Sequence, residues 1–478
     1  DDARIMVTQR YELVYTGGRM SNESYDVIIV GGGMGGLNLA ALLAHEGQRV
    51  LVLEKDGRDQ LGGRASSGTI GRAAVDNGIK GLIQVGSQDE IFRRIGKTMP
   101  ENVCRWTNSG KVHMNGEWRD LDEMIRGSLP EFIKIYVSTA KDWSYQQLES
   151  IENVSIEKFV SERTQDQGVI DFFRYLGWLF GGTRAIPDDF SAGALFYSVK
   201  KQYEVLGGFP SQSYWVKGGS GAITGPLIEA IEERGGEIRT NSAVSRILIE
   251  NRRVRGVAVD QGTRRVPTEL LDTQTIEAPV VVSAVALWDV FDILSEDDLS
   301  PWYIDRIRHL HRKVENDATL TFGHDDPELW DHSGSRWVQE GPISGRPWCA
   351  SSLDYSDDPN EYQVTFWLQL GWWEKPNFFQ IREASHKAAL EALFDAWEGD
   401  IRALFPGIVE KAHWRLRSFG PATLIETPGN VGRSLIDIPA EGVDGLYLIG
   451  ERTSAAKVMG VYGAAQTALE ACRLITSR

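Results

Sequence analysis

The chain has 478 residues, of which 42% are hydrophobic and 25% charged, a balance typical of a globular protein large enough for two or three domains. Its formal net charge of −16 argues against a general nucleic-acid binder, which needs a basic face to displace phosphate counterions. The three cysteines lie far apart and form no C-x-x-C pair, so neither a disulfide framework nor a zinc site is predicted: Cys104, Cys349 and Cys472.

The chain carries neither a long apolar run nor a leader-like N-terminus. Without a run of about 18 uncharged apolar residues, no membrane-spanning helix is expected. No basic stretch followed by an apolar core opens the sequence, so no signal peptide is expected and a cytoplasmic protein is predicted. Residues 1–20 are treated as an N-terminal extension outside the fold.

The first predicted unit is a strand, a glycine-rich turn and a helix. Residues 26–30 are a short β-branched run of the kind found in buried parallel strands. Residues 31–36 have the sequence GGGMGG and open an apolar segment, 37–45, that predicts a helix. A second strand-like run, 49–54, then ends in an acid.

Each glycine of the turn has its own task. Gly31 permits the tight turn out of the strand, Gly33 lets a pyrophosphate approach the backbone, and Gly36 lets the helix pack on the sheet. The helix N-terminus offers unpaired N–H groups and positive potential to phosphates. Glu54 can accept hydrogen bonds from both ribose hydroxyls and would repel a 2′-phosphate, so a dinucleotide other than NADP is predicted.

A second glycine pair follows eight residues after the acid. Gly62-Gly63-Arg64 resembles the G-G-R segment of the flavin amine oxidase and phytoene desaturase superfamily. The resemblance implies that this segment passes the FAD pyrophosphate, that its arginine lies near the flavin, and that residues 75–78 approach the flavin ring. Simple NAD dehydrogenases have no counterpart, so FAD is favoured over NAD.

The middle of the chain continues the resemblance. Residues 214–219 are similar to the family's G-G turn and precede a predicted amphipathic helix over 224–233. A strand at 237–240 and a hairpin follow, and the position of the family's adenine-binding valine corresponds to Val244. Residues 279–284 predict a buried strand that returns beneath the cofactor.

The C-terminal end supplies a third block. Residues 445–451 resemble the family's strand that ends in Gly-Asp or Gly-Glu, which implies that Glu451 hydrogen-bonds the ribityl chain. The last predicted helix covers 460–474, and its N–H groups would face the flavin N1–C2=O edge, where positive potential stabilises the anionic reduced flavin. Val461 and Tyr462 are the expected contacts.

These blocks predict an α/β protein: a discontinuous Rossmann-type FAD-binding domain like that of glutathione reductase, with a second, α+β substrate domain. A simple NAD dehydrogenase would not return to its cofactor with its final residues. The predicted segments are 21–100, 212–295 and 425–478 for the FAD-binding domain, and 101–211 and 296–424 for the substrate domain.

The cofactor-binding candidates come from all three blocks. They are Gly31, Gly33, Met34, Gly35, Gly36, Glu54, Lys55, Gly62, Gly63, Arg64, Val244, Ala284, Gly450, Glu451, Val461 and Tyr462. No cysteine occupies the family's covalent flavin position near the C-terminal strand, so the FAD is expected to be non-covalent. The eight histidines show no metal-ligand spacing, and no metal is predicted.

Two residues are catalytic candidates. Tyr462 is expected beside the flavin, with a packing role as the alternative, and Lys80 follows the turn expected at the flavin ring, with a solvated lysine as the alternative. Amine oxidases of the superfamily often hold a lysine against flavin N5 through water, and Lys313 lies in a roughly suitable region. His309 and His311 alternate, as in a strand or loop.

The predicted substrate domain is rich in aromatic residues. Residues 172–180 and 362–373 carry dense aromatic clusters, and the alternation in the second cluster predicts a strand with one buried face. Most of these rings are expected in a core, while the others would line an apolar substrate pocket. The segment 178–199 is a candidate for peripheral membrane contact.

The resemblance implies hydride transfer between an apolar, unsaturated or cyclic substrate carbon and flavin N5, with O2 or another acceptor reoxidising the flavin. The short G-x-x-G spacing at 460–463 is more like that of phytoene desaturases than of amine oxidases. Three alternatives stay open: an amine oxidase producing an imine and hydrogen peroxide, a redox-neutral isomerase or saturase, and a non-catalytic protein like the prenyl-GTPase chaperones. The sequence names neither the substrate nor the oligomeric state.

Overall fold

A computed structural model describes most of the chain. The described residues are 24–71, 73–78, 86–100, 102–105, 110–180, 190–207, 214–216, 218–261, 273–330, 335–352, 361–422, 426–458 and 460–477. Within them the strands, in chain order, are β1 (Val27–Val30), β2 (Val50–Leu53), β3 (Ser67–Ile70), β4 (Ala73–Asp76), β5 (Asn102–Arg105), β6 (Lys111–Met114), β7 (Glu117–Asp120), β8 (Tyr214–Val216), β9 (Glu237–Arg239), β10 (Ser242–Glu250), β11 (Arg253–Gln261), β12 (Thr273–Glu277), β13 (Val280–Ser283), β14 (Asn316–His324), β15 (Arg336–Val338), β16 (Trp348–Ser352), β17 (Tyr362–Leu370), β18 (Trp414–Pro421) and β19 (Leu446–Leu448).

The α-helices lie between these strands along the chain and at its C-terminal end. They are α1 (Met34–His45), α2 (Ser87–Ile95), α3 (Leu121–Arg126), α4 (Leu129–Phe132), α5 (Ser138–Asp142), α6 (Tyr145–Ser150), α7 (Ile156–Ser161), α8 (Gln167–Phe180), α9 (Ala192–Leu206), α10 (Thr224–Glu233), α11 (Pro301–His311), α12 (Ala384–Leu404), α13 (Ile408–Lys411) and α14 (Gly460–Thr476).

A parallel sheet in the order β19-β13-β1-β2-β9 organises the first part of the molecule. β1 lies between β2 and β13, with Val27 opposite both Val50 and Val280. The sheet draws its strands from the beginning, middle and end of the chain, as a discontinuous domain requires, although the domain boundaries themselves stay a prediction. The expected α/β class with a parallel sheet is confirmed.

Both faces of the central strands of this sheet are covered, which explains why β1 and β2 are continuous apolar runs. Successive strand residues point to opposite faces. Ile29 and Val52 therefore face a layer formed by α1, α2, α10 and α14. Ile28 and Leu51 face the other core, which contains the antiparallel sheet β10-β11-β12 and α11.

A second, mixed sheet has the order β18-β14-β17-β16-β15-β6-β7. The predicted strand in the aromatic segment is β17, but the expectation of one buried face was wrong. Gln363 and Thr365 are 3% and 2% exposed, almost as buried as Val364 and Phe366 on the opposite face. The reason is that Gln363 donates to the Ala74 carbonyl of β4 at 2.8 Å and Thr365 Oγ1 lies 3.1 Å from Thr321 Oγ1, while α12 and α13 cover the opposite face.

Helix α11 lies between the two sheets in the sequence. Ser300 caps it by accepting a hydrogen bond from the Tyr303 N–H, and Pro301 occupies its first turn. His309 and His311 are in its last turn, so the strand or loop expected from their alternation is wrong. The apolar residues around the two histidines recur at helical spacing, and this pattern decides the structure more strongly than the two-residue spacing of the histidines.

Candidate functional site

The glycine turn lies at the carboxyl end of the parallel sheet, immediately after β1. Gly31 has a φ of 104°, a conformation that disfavours side chains, and its N–H donates to the Leu53 carbonyl at 2.8 Å. Ala284, which follows β13, donates its N–H to the Val30 carbonyl at 2.8 Å. The turn is therefore held between the ends of β2 and β13, the usual ligand-binding edge of an open α/β sheet.

The next glycines differ in what surrounds them. A Cβ on Gly36 would lie 2.1 Å from the Gly31 carbonyl oxygen. The close packing of α1 on the turn therefore requires glycine at this position. A Cβ on Gly33 would meet nothing within 4 Å, although the backbone of Gly33 bridges to that of Gly62. Between two glycine loops, open space at Gly33 forms a cradle that a pyrophosphate can enter.

Helix α1 points its N-terminus at this space. It begins at Met34, directly after Gly33, and no side chain caps its first N–H groups. Those N–H groups and the helix dipole therefore remain available to an anion. A Cβ added to Gly35 would lie 3.7 Å from Ile449 Cδ1, so the start of α1 lies against the residue that follows β19.

Glu54 ends β2 beside the glycine turn and is 8% exposed. Its Oε2 accepts from the Gly32 N–H at 2.7 Å, and its Oε1 accepts from the Asp56 N–H at 3.0 Å. These bonds fix the carboxylate while each oxygen keeps a further lone pair for a hydroxyl group. The Lys55 side chain is about half-exposed, and its Nζ lies 3.9 Å from Asp56 Oδ2.

The G-G-R segment joins the first block to the third. Arg64 donates from Nη2 to Glu451 Oε1 at 2.9 Å and from Nη1 to the Ala422 carbonyl at 3.2 Å. Glu451 is buried, and its Oε2 accepts from the Gly460 N–H at the start of α14 at 3.1 Å. The Arg64 guanidinium also lies over the Trp288 ring, 5.3 Å from its centroid. Residues far apart in sequence thus meet beside the glycine cradle.

The other cofactor candidates occupy the rim of this region. Val244 is buried in β10, two residues after Ser242, whose N–H donates to the Glu54 carbonyl at 2.8 Å. Gly450 has a φ of 132° and donates to Thr467 Oγ1 of α14 at 3.2 Å. Val461 is buried in the first turn of α14 and belongs to the core that covers α1.

The catalytic candidates predicted from the sequence are Tyr462 and Lys80. Tyr462 is 3% exposed, belongs to the same hydrophobic core, and accepts at its carbonyl from Ser87 Oγ at 2.8 Å. Lys80 lies outside the described residues. Lys313 places its Nζ over the Trp372 ring, 4.2 Å from the centroid. Their roles in catalysis stay predictions.

Sequence reasoning missed a network that anchors the G-G-R region. Asp76 is 5% exposed and accepts from Ser67 Oγ at 2.6 Å, from the Ser220 N–H at 2.8 Å and from Ser220 Oγ at 3.1 Å. It thereby ties the β3-β4 hairpin to the turn that precedes α10. The signal was an acid in a short, otherwise apolar strand, which marks a buried and partnered carboxylate.

Replacing Asp76 with alanine is expected to lower the free energy of unfolding by about 3 kcal/mol, because two buried donors and one partly buried donor lose a charged acceptor. Denaturant unfolding of the two proteins measures this difference. Asp395→Ala is the matched control, since that side chain is 73% exposed, and about 0.5 kcal/mol or less is expected there. Equal losses in the two variants would contradict the anchoring role.

Sequence reasoning also missed a set of buried charges next to Glu451. Arg452 is 6% exposed, and its Nη2 lies 3.6 Å from Glu451 Oε1. Neither Nη atom makes a hydrogen bond to any residue that the structure describes. Burial lowers the pKa of Arg452 to about 10, and Glu315 and Glu426 attract its charge.

The residues present fit a dinucleotide cofactor. Gly33 leaves a cradle that a Cβ would enter, α1 directs uncapped N–H groups into it, and Glu54 stands at the end of β2. The two Nη atoms of Arg452 are buried and make no hydrogen bond to any described residue. They indicate a polar environment next to Glu451. Within the described ranges, no group of three or more His, Cys, Asp or Glu residues could hold a metal ion.

A comparison with protein families decides the assignment. The model of the flavin-containing amine oxidoreductases matches residues 34–476, which is most of the chain. The chain belongs to the flavin-containing amine oxidoreductase family. The expected superfamily of FAD-dependent oxidoreductases is thereby confirmed. In this family the glycine cradle, Glu54 and the Arg64–Glu451 pair are the residues of this chain that would hold the cofactor.

The proteins similar to this chain have diverse activities. The all-trans-retinol 13,14-reductase of Danio rerio is 25% identical over 323 residues, covering 58% of this chain and 50% of that protein. The 4,4′-diapophytoene desaturase (4,4′-diapolycopene-forming) of Methylomonas sp. is 24% identical over 291 residues, covering 51% and 52%. The chain therefore spans about half the length of the curated relatives it matches.

A solved oxidoreductase from Methanosarcina mazei has the same fold. It aligns with a TM-score of 0.68 and 17% identity, covering 94% of this chain and 100% of that structure. At this identity the likeness concerns the fold alone.

The structure describes part of the segment proposed for membrane contact, 178–199. No helix among the described residues is long and apolar enough to cross a membrane. In the segment proposed for peripheral contact, Phe190, Leu195 and Phe196 are at most 1% exposed and pack in a core. Residues 181–189 lie outside the described residues, so contact through them stays a prediction.

Proposed function

We propose that this chain is an FAD-dependent oxidoreductase that transfers a hydride between an apolar, unsaturated or cyclic substrate carbon and flavin N5, in the manner of the desaturases. The observation that carries the proposal is the open cradle at Gly33, enclosed by Gly62 and Gly63 and flanked by Glu54. FAD would supply the redox chemistry there, and the protein would bind and orient it.

The two cysteines whose side chains the structure describes favour FAD that is bound without a covalent link. Cys349 is completely buried in the second sheet, and burial raises the pKa of its thiol well above the usual value. Cys472 is 4% exposed in α14, and burial raises the pKa of its thiol to about 11. Both thiols are therefore protonated and shielded, which is unfavourable for attack on a flavin.

The side of the site next to Arg64 supports an apolar substrate. Trp288 lies against Arg64, and its ring makes an edge contact with that of Phe379 at 6.1 Å between centroids. Phe379 is 43% exposed, so this aromatic surface is not consumed by core packing. The desaturase and the retinol reductase among the relatives are named for isoprenoid chains, which agrees with an apolar substrate.

Amine oxidation is the second candidate, because the family model that matches the chain is named for amine oxidoreductases. Its products would be an imine and hydrogen peroxide. A peroxidase-coupled assay with candidate amines separates the two functions. Peroxide formation that depends on the amine would replace the desaturase proposal with this one.

The purified protein is expected to show the two-banded visible absorbance of an oxidised flavin. Anaerobic dithionite should bleach these bands, and air should restore them. Slow restoration supports a desaturase or reductase that uses another electron partner, whereas rapid restoration supports an oxidase. Acid precipitation should release the flavin into the supernatant if it is non-covalent. A colourless protein that does not take up added FAD would overturn the proposal.

A further inference from the structure

The chain makes a tight turn at Lys457, between Glu451 and the start of α14. Lys457 has a φ of 54°, a conformation that disfavours side chains, and the Val458 N–H donates to the Ala456 carbonyl across it at 2.6 Å. The other non-glycine residues with positive φ in the described part of the chain lie in turns that join two strands: Asn115, Asn241, Asn251 and Arg252. Such a backbone conformation persists only where the surroundings hold it, so the contacts of the Lys457 side chain matter.

The backbone of this turn packs on the beginning of α14. A Cβ on Gly463 would overlap the Val458 carbonyl oxygen, so the turn and the helix approach each other backbone to backbone. Val458 is 4% exposed and belongs to the core that covers α1. The Gly460 N–H donates to Glu451 Oε2 at 3.1 Å. The position of the Lys457 turn therefore sets where the N-terminus of α14 lies relative to Glu451.

The Lys457 side chain reaches two carboxylates at the end of α6. Its Nζ lies 3.1 Å from Glu149 Oε1 and 3.6 Å from Glu152 Oε1. The side chains of Lys457, Glu149 and Glu152 are 17%, 25% and 10% exposed, so water screens these pairs less than it screens pairs at the surface. Helix α6 belongs to the helical core beside the second sheet, whereas α14 belongs to a core of the parallel sheet. The ammonium therefore links the turn before α14 to a helix of the other core.

The two carboxylates are held in place by contacts other than Lys457. Glu149 lies in α6, which packs against α9. The Glu152 carbonyl accepts from the buried Ser191 Oγ at 2.7 Å. The Glu152 carboxylate lies against the backbone of Gly432, where an added Cβ would overlap it. Lys457 is consequently the movable member of this cluster, and the carboxylates are its fixed support.

We propose that Lys457 is a positioning residue of the FAD site, whose pairing with Glu149 and Glu152 holds the N-terminus of α14 at the cofactor and raises the reduction potential of bound FAD. Reduction adds two electrons and one proton to FAD, so the reduced form carries one more negative charge. The N–H groups and dipole of a helix N-terminus stabilise such a charge, and the effect falls off within one turn. The inference rests on the proposed function, because it requires FAD next to Glu451.

Replacing Lys457 with methionine removes the ammonium and keeps a long side chain. The strained turn should then relax, and the first turn of α14 should move with it. We expect reduced FAD to lose about tenfold in affinity relative to oxidised FAD, which lowers the two-electron midpoint potential by about 30 mV. Anaerobic titration of the flavoprotein with dithionite against a reference dye measures the potential. An unchanged potential in Lys457→Met overturns the inference.

Replacing Glu149 with glutamine separates positioning from a direct effect of charge on the flavin. This variant removes the nearer partner of Lys457 and leaves the sequence of the turn unaltered. Loss of a negative charge acting through space would raise the midpoint potential, whereas release of the turn lowers it. We expect a fall in the same direction as in Lys457→Met, and a rise overturns the inference. Glu149→Gln also serves as the test if Lys457→Met does not fold.

Arg433→Met is the matched control, because Arg433 Nη2 lies 3.4 Å from the other oxygen of Glu149 but its side chain is 84% exposed. Its loss takes a cation from the same carboxylate without touching the turn, so the wild-type midpoint potential is expected. A fall as large as that in Lys457→Met would show that any cation beside Glu149 has this effect and would overturn the inference.

Titration of each apoprotein with FAD distinguishes failure of the inference from failure of the proposed function. Wild-type protein that takes up no FAD contradicts the proposed function and the inference with it. Wild-type protein that binds FAD, with the same midpoint potential as both Lys457→Met and Glu149→Gln, contradicts the positioning role of Lys457 alone.

Discussion

Replacing Gly33 with valine is expected to weaken FAD binding strongly while leaving the protein folded. The backbone at Gly33 has a φ of −71° and a ψ of 175°, which any residue can adopt, and an added Cβ meets nothing within 4 Å. The free energy of unfolding should therefore change by no more than about 1 kcal/mol. The side chain would fill the space offered to the pyrophosphate, and we expect affinity for FAD to fall at least ~100-fold, or about 2.8 kcal/mol.

Fluorescence titration of the apoprotein with FAD measures this loss, and denaturant unfolding without FAD checks the fold. Gly127→Val is the control, because a Cβ at Gly127 also meets nothing within 4 Å but lies outside the glycine cradle. The control should bind FAD as the wild-type protein does. Unchanged FAD affinity in Gly33→Val would show that the space beside Gly33 is not the cofactor's.

Replacing Gly36 with alanine, three residues further on, should instead destabilise the fold itself. Its Cβ would lie 2.1 Å from the Gly31 carbonyl oxygen and 3.3 Å from the Ala284 side chain, and neither α1 nor the turn can move without breaking the other's contacts. We expect the free energy of unfolding to fall by about 3 kcal/mol or more, with or without FAD. Thermal and denaturant unfolding of the apoprotein measure the loss.

Gly225→Ala is the control for the helix itself. Gly225 lies in α10, and a Cβ there meets nothing within 4 Å. Alanine has the higher helix propensity, so this variant should be more stable than the wild-type protein by up to about 1 kcal/mol. If Gly36→Ala were as stable as Gly225→Ala, the close approach of α1 to Gly31 would not constrain the fold.

Gly33 and Gly36 belong to one motif but differ in why glycine is needed. Gly36 is required by the protein's own packing, whereas no described atom lies close enough to Gly33 to require glycine there, and we propose that FAD does. The contrast separates stability from cofactor affinity within four residues. It also explains why a fold resembling this one can persist after a flavin site has been lost, since the second requirement can disappear without the first.

The cofactor half of the protein was largely predictable because its signals are local. A β-branched run must be buried on both faces, glycines must occupy the turn, and an acid must end the second strand. β1, β2, α10 and α14 accordingly lie where the patterns of the sequence indicate them, within a few residues. The mispredicted α11 histidines rested on only two alternating positions, too short a pattern to set the helical or extended state.

The sequence by itself determined the FAD-type glycine turn, the identity of Glu54 and the three-block order of the cofactor half, since each depends on neighbours within a few positions. Only the tertiary structure decided what those residues touch. The Arg64–Glu451 pair and the Asp76 network each join segments separated by more than a hundred residues. Burial and charge add up in space, so a linear pattern cannot show that Arg64 lies against Glu451 while Arg452 is buried beside it.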